Sequence, residues 1–102
     1  MLPSLKALRA FDQAVRSGSF KAAAQALNVS PTAISHHIRT LEQDLGVALF
    51  ERDGRNVILT PPGQELSADV AQAFAQLAQA VERTRRNPRG QAIRIAADPS
   101  LP

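Results

Sequence analysis

The sequence predicts a mainly α protein: a winged helix-turn-helix, with three helices plus a β-hairpin wing, followed by a long dimerisation helix. Three observations predict it. The stretch from Ser19 to Phe50, SFKAAAQALNVSPTAISHHIRTLEQDLGVALF, reads as a short helix, a tight turn and a second helix. A basic segment with a turn signal at Asp53-Gly54 follows it. After Thr60-Pro61 the chain runs as helix to about Arg86, roughly 39 Å at 1.5 Å per residue.

The first helix begins at Ser4, a good N-cap, and Leu5, Leu8, Phe11 and Val15 follow at helical spacing as one apolar stripe. Ser17-Gly18 ends it. Ser19 caps the second helix, whose inner face holds Phe20, Ala23, Ala24 and Leu27. The alanines permit close approach of a neighbouring helix, and they are also the best helix formers. Asn28-Val29 makes the turn, since Asn tolerates a left-handed backbone. Ser30 caps the third helix and Pro31 takes its first position, where a missing N–H costs nothing.

The third helix is expected to run to about Leu45, with Ile34, Ile38, Leu41 and Leu45 on a buried face and Gly46 as the stop. Two short β-prone runs, Ala48–Glu51 and Val57–Leu59, flank the Asp53-Gly54 turn and form the wing. Thr60 caps the long helix. Its apolar positions are Leu66, Val70, Phe74, Leu77 and Val81, at steps of four, four, three and four, close to a coiled-coil seam. A lone amphipathic helix is marginal in water, so two copies pairing along this stripe would bury both. The stripe could instead pack on its own domain or on a further domain beyond it. Asn87-Pro88-Arg89-Gly90 reads as a linker, and QAIRIAA alternates like a strand that lacks neighbours. The expected organisation is a winged helix-turn-helix over residues 1–60, a linker helix over 61–87, and over 88–102 a hinge with the first strand of a further domain.

Composition narrows the function classes. The chain has 102 residues, enough for one small domain with an extension. Apolar residues make up 44%, too many for a disordered chain. With four Phe, no Trp and no Tyr, it lacks the exposed rings of a platform for single-stranded nucleic acid. The net charge of +3 permits nucleic acid without demanding it. The absence of cysteine removes disulfides, thiolate-bound zinc and thiol chemistry, and fits a reducing cytoplasm. No apolar run is long enough to span a membrane. No cofactor motif, Gly-rich phosphate loop, metal cluster or nucleophile–base pair is present, which sets an enzyme aside.

The outer face of the third helix carries the chemistry. Opposite its apolar stripe lie Thr32, Ser35, His36, Arg39 and Gln43. Short hydroxyls can approach base edges, and His36 and Arg39 can donate to guanine or phosphate. His36 can also gain a proton beside a phosphate. Ser30, with the free N–H groups of the helix start, is placed to hold a phosphate. His36 and His37 are adjacent, so they point about 100° apart and do not share a metal ion. Arg52 and Arg55 flank the hairpin tip, where arginines suit phosphates or a narrow minor groove. Lys6, Arg9 and Lys21 are further candidates for backbone contacts. Together, these elements are what a protein needs to set one helix in the major groove of duplex DNA with a basic ribbon beside it. The alternative is a winged-helix protein-interaction module without DNA binding, which would lack the basic face of Arg39, Arg52 and Arg55.

Residues 3–66 resemble the N-terminal domain of LysR-type transcriptional regulators. The resemblance is carried by Gly18-Ser19-Phe20, Ala23-Ala24, Leu27, Val29-Ser30, Ala33-Ile34-Ser35, Ile38, Leu41-Glu42, Leu45-Gly46, Leu49-Phe50-Glu51-Arg52, Leu59-Thr60 and Gly63. It implies that the positions of Pro31, Thr32, Ser35 and His36 face the major groove. It also implies that Arg52 or Arg55 reaches the backbone or minor groove. Members often carry Gln-Pro where this chain has Pro31-Thr32, and Arg where it has His36. The resemblance further implies a homodimer through the linker helix, bound to an interrupted palindrome. A small-molecule effector would act only through a two-lobed C-terminal domain starting near Ile93.

Overall fold

A computed structural model of the chain describes residues 2–53 and 56–86, without the side chains of 53 and 56. Its elements are α1 (Leu5–Ser17), α2 (Phe20–Leu27), α3 (Pro31–Leu45), β1 (Phe50–Asp53), β2 (Asn56–Leu59) and α4 (Pro61–Arg86). The expected linker at 87–90 and strand at 91–97 lie outside the described residues. The chain divides between Ala71 and Gln72 into two units.

In the first unit, side-chain caps start the helices and left-handed residues stop them. Ser4, Ser19 and Ser30 each accept from the N–H three residues on, at 3.3, 3.0 and 3.1 Å. Gly18, Asn28 and Gly46 each take a left-handed conformation, with φ of 81°, 59° and 73°. Asn28 is the one described non-glycine residue with positive φ, as its turn position requires. Its N–H returns to the carbonyls at the end of α2.

α1 packs against both α2 and α3, and α2 against α3. The fully buried large side chains are Phe11, Ile34, Leu41 and Leu49. The buried face of α1 differs from the expected stripe. Leu5 is 63% exposed and Leu8 and Val15 are half-buried, whereas Ala7, Ala10, Phe11 and Ala14 are buried. Alanine lets α2 and α3 come close, so the small residues rather than the leucines face the core. On α3 burial stops at Leu41. Leu45 is 40% exposed, because it ends the helix where the chain turns away at Gly46.

The wing is a two-stranded antiparallel hairpin with Phe50 opposite Leu59, Arg52 opposite Val57 and Asp53 opposite Asn56. β1 begins at Phe50 and not at Ala48, because the backbone of 48 and 49 is engaged elsewhere. The Thr60 hydroxyl donates to the Ala48 carbonyl at 2.6 Å, and the Thr60 N–H donates to the Leu49 carbonyl at 3.0 Å. Thr60 is buried yet satisfied, since its hydroxyl also accepts from the Gly63 N–H at 3.1 Å and so caps α4. Phe50 anchors the wing through its ring, with centroids 5.5 Å from Phe11 and 5.4 Å from Phe20. Tilted and edge-on pairs of this kind are the favoured aromatic geometries.

Within the first unit α4 holds Leu66 half-buried and Val70 buried. The second unit, as described, is the stretch of α4 from Gln72 to Arg86. There Phe74 is half-buried, while Leu77 and Val81 are 54% and 48% exposed. Arg83, Arg85 and Arg86 occupy the last turn, where cations complement the helix dipole. Among the described residues no helix is long and apolar enough to cross a membrane.

Candidate nucleic-acid interface

α3 presents its outer face to solvent because its inner face is fully used. Ile34, Ile38 and Leu41 are buried, so residues about half a turn away face outward. Pro31, Thr32, His36, Arg39 and Gln43 are exposed, and Ser35 is half-buried. Arg39 makes a loose 3.5 Å contact to the Ser35 hydroxyl one turn earlier, which leaves its guanidinium donors largely open.

The helix start leaves one backbone donor. Pro31 has no N–H, the Ala33 N–H is capped by Ser30, and the Ile34 N–H donates to the Ser30 carbonyl at 3.2 Å. The Thr32 N–H has no partner among the described residues. It points the way a phosphate would be held at a helix N-terminus, beside exposed Ser30.

The positive charges on this unit are largely uncommitted. Arg16 pairs with Asp12 at 3.2 Å. Lys6, Arg9, Lys21, Arg39 and Arg52 are exposed and have no ion-pair partner among the described residues. His36 and His37 stand with ring centroids 6.1 Å apart, and no group of three metal-ligating side chains exists among the described residues. His37 is half-buried and lines a cleft with Lys6, Arg9, Leu27 and Val29, at the flank of α3. Arg52 is exposed on β1, and Arg55 lies outside the described residues.

The face of α3 adjoins the root of the wing. Arg39, Glu42 and Gln43 line one shallow cleft with Gly46, Val47 and Ala48. Two residues at this junction have roles that sequence reasoning left unassigned. Glu42 accepts from the N–H groups of Leu49 and Phe50 at 2.8 and 3.2 Å, a link across seven and eight residues without a local signal. Gly63 is buried, and a Cβ there would fall inside the contact distance of the Leu49 carbonyl oxygen.

Known proteins share this arrangement. The family model described as bacterial regulatory helix-turn-helix protein, lysR family, matches residues 5–64. An uncharacterized HTH-type transcriptional regulator y4mQ of Sinorhizobium fredii is 50% identical over 98 residues, covering 96% of this chain and 33% of the relative. The glycine cleavage system transcriptional activator of Escherichia coli is 40% identical over 100 residues, covering 98% of this chain and 33% of the relative. The chain therefore spans about a third of the length of the curated relatives it matches. Among solved structures, BenM_DBD in its catB site 1 DNA complex superposes with a TM-score of 0.78 at 32% identity, covering 87% of this chain and 96% of that one. The CbnR_DBD-DNA complex gives a TM-score of 0.73 at 31% identity, covering 85% and 100%.

Proposed function

The chain belongs to the LysR family of bacterial regulatory helix-turn-helix proteins, and on that premise we propose that it reads duplex DNA as the homodimeric DNA-binding part of a transcription regulator. The observation that carries this reading is the capped, solvent-facing side of α3. There Thr32, Ser35, His36 and Arg39 run along one face from an open helix start at Ser30 and Pro31. Thr32, Ser35 and His36 meet base edges in the major groove. Ser30 and the Thr32 N–H hold a phosphate, and Arg39 takes a phosphate or a guanine. Arg52 and Arg55 reach the backbone or the minor groove from the wing. The neighbours BenM_DBD and CbnR_DBD, solved as DNA complexes, support DNA as the partner.

The dimer forms along Leu66, Val70, Phe74, Leu77 and Val81. Exposed Leu77 and Val81 support it, since two large apolar side chains one turn apart in water are what a helix seam buries. A two-fold dimer presents two reading helices, hence an interrupted palindrome. In this reading residues 1–60 read DNA, 61–87 carry the dimer and 88–102 lead toward a C-terminal domain that takes a small-molecule effector. The protein works in the cytoplasm, needs no cofactor or metal for this task, and we assign it no catalytic step.

Fluorescence anisotropy with a labelled palindromic duplex and a scrambled one, over a range of salt, tests the proposal. Preference for the palindrome is expected, with log affinity falling linearly in log salt. Arg39→Ala and Arg52→Ala should each flatten the slope by about 0.9 per lost phosphate contact. Failure to bind either duplex at low salt would refute the reading in favour of a protein-interaction module.

A further inference from the structure

We infer that Glu42 is a positioning residue of the DNA interface, its carboxylate fixing the wing against the reading helix. The inference rests on the DNA-reading role of α3 and the wing. One oxygen of Glu42 accepts from both the Leu49 and Phe50 N–H groups, at 2.8 and 3.2 Å, in a half-buried setting. Phe50 opens β1, and Arg52 follows two residues later on the same strand. Glu42 lies three residues after Arg39, so the two are neighbours on α3. They line one cleft with Val47 and Ala48.

The segment 48–50 is held from its other side too. Thr60 bonds the carbonyls of Ala48 and Leu49, and Gly63 lies hard against the Leu49 carbonyl. The wing itself is two strands, with no third among the described residues to steady it, and an isolated hairpin is marginal in water. Its direction is therefore set at its root. The Phe50 ring on Phe11 and Phe20 fixes how deep the root sits. Glu42 alone among the described side chains ties that root to α3 by hydrogen bonds. A charged acceptor on two backbone donors is the stronger kind of such bond. Without it, Arg52 keeps its charge and loses its fixed distance from Arg39.

The test is a double-mutant cycle in the 102-residue chain, read as the salt slope of binding to the palindromic duplex, with backbone amide exchange measured in parallel. In the wild-type background Arg52→Ala is expected to lower the slope by about 0.9. In Glu42→Ala the same change is expected to lower it by less than half as much. Exchange at Leu49, Phe50 and the wing strands should quicken, while α1 stays protected. Glu42→Gln, which keeps an oxygen acceptor, is expected to restore both readouts. A merely stabilising Glu42 would lower the melting temperature and leave the effect of Arg52→Ala unchanged. Equal Arg52→Ala effects in the two backgrounds, or unchanged wing exchange in Glu42→Ala, would overturn the inference alone. Failure of the wild type to bind DNA would overturn the DNA reading and the inference with it.

Discussion

Replacing Gly63 by alanine sets two effects of opposite sign against each other. Helix propensity alone favours alanine by up to about 1 kcal/mol, and less than that in the first turn. The structure opposes it. The new Cβ would overlap the Leu49 carbonyl oxygen and sit 3.0 Å from Leu59 Cδ2 and 3.1 Å from the Leu49 carbonyl carbon. Opening these to ordinary carbon contacts requires a shift on the order of 1 Å. Overpacking costs about 1–3 kcal/mol, and the upper part of that range applies because backbone cannot rotate out of the way. The same carbonyl accepts the Thr60 N–H at 3.0 Å, so its displacement weakens a bond contributing about 1 kcal/mol. The net expectation is a loss of about 2 kcal/mol, which for a unit of this size lowers the melting temperature by about 8–16 °C. Thermal unfolding followed by circular dichroism reads it, at one fixed protein concentration because the proposed dimer would make the midpoint depend on concentration. Gln64→Ala, at the exposed next position, serves as the propensity control. A Gly63→Ala midpoint at or above the wild-type value would refute the close-approach argument.

Three further outcomes follow from the same geometry. Ser30→Ala should cost about 1 kcal/mol by removing the cap on the Ala33 N–H. Ser30→Asp should keep the cap yet weaken DNA binding through repulsion of phosphate, and wild-type affinity in that variant would remove Ser30 from the phosphate site. Phe11→Leu and Phe50→Leu should be non-additive by about 0.5–1.5 kcal/mol in urea unfolding, since their rings pair at 5.5 Å; strict additivity would argue that the pair contributes only buried area. Leu77→Glu should turn the dimer into a monomer in sedimentation equilibrium without unfolding it, because Leu77 is 54% exposed within the chain; a persistent dimer would place the seam elsewhere.

The limits of the helices were legible in the sequence because their causes are local. Ser4, Ser19, Ser30 and Thr60 each cap a donor three residues on, and Gly18, Asn28 and Gly46 each stop the helix they follow. The outward set on α3 was legible too, since Ile34, Ile38 and Leu41 fix its rotation. What escaped depends on partners distant in sequence. The leucine stripe of α1 suggested one buried face, and the actual face is shifted onto alanines by how near α2 and α3 come. The start of β1 depends on Thr60 taking the carbonyl of Ala48, twelve residues before it. Glu42 belonged to the resemblance pattern without a role, because its two backbone donors come seven and eight residues later, where the chain folds back to meet it. Gly63 was part of a familiar pattern, but its reason lies in a carbonyl fourteen residues earlier.

The connections between the first three helices hold two residues, Gly18 and Ser19, and then three, Asn28, Val29 and Ser30. Each carries a stop and a start, so none has slack. An inserted residue inside α3 would turn everything beyond it by about 100°, carrying Ile38 and Leu41 out of the core and the side chain of Arg39 off its face. Substitution at the exposed outer positions Thr32, His36, Arg39 and Gln43 leaves the buried face in place. In the proposed reading the domain can therefore change the DNA sequence it recognises one side chain at a time, whereas a change in its length destroys the frame that holds those side chains.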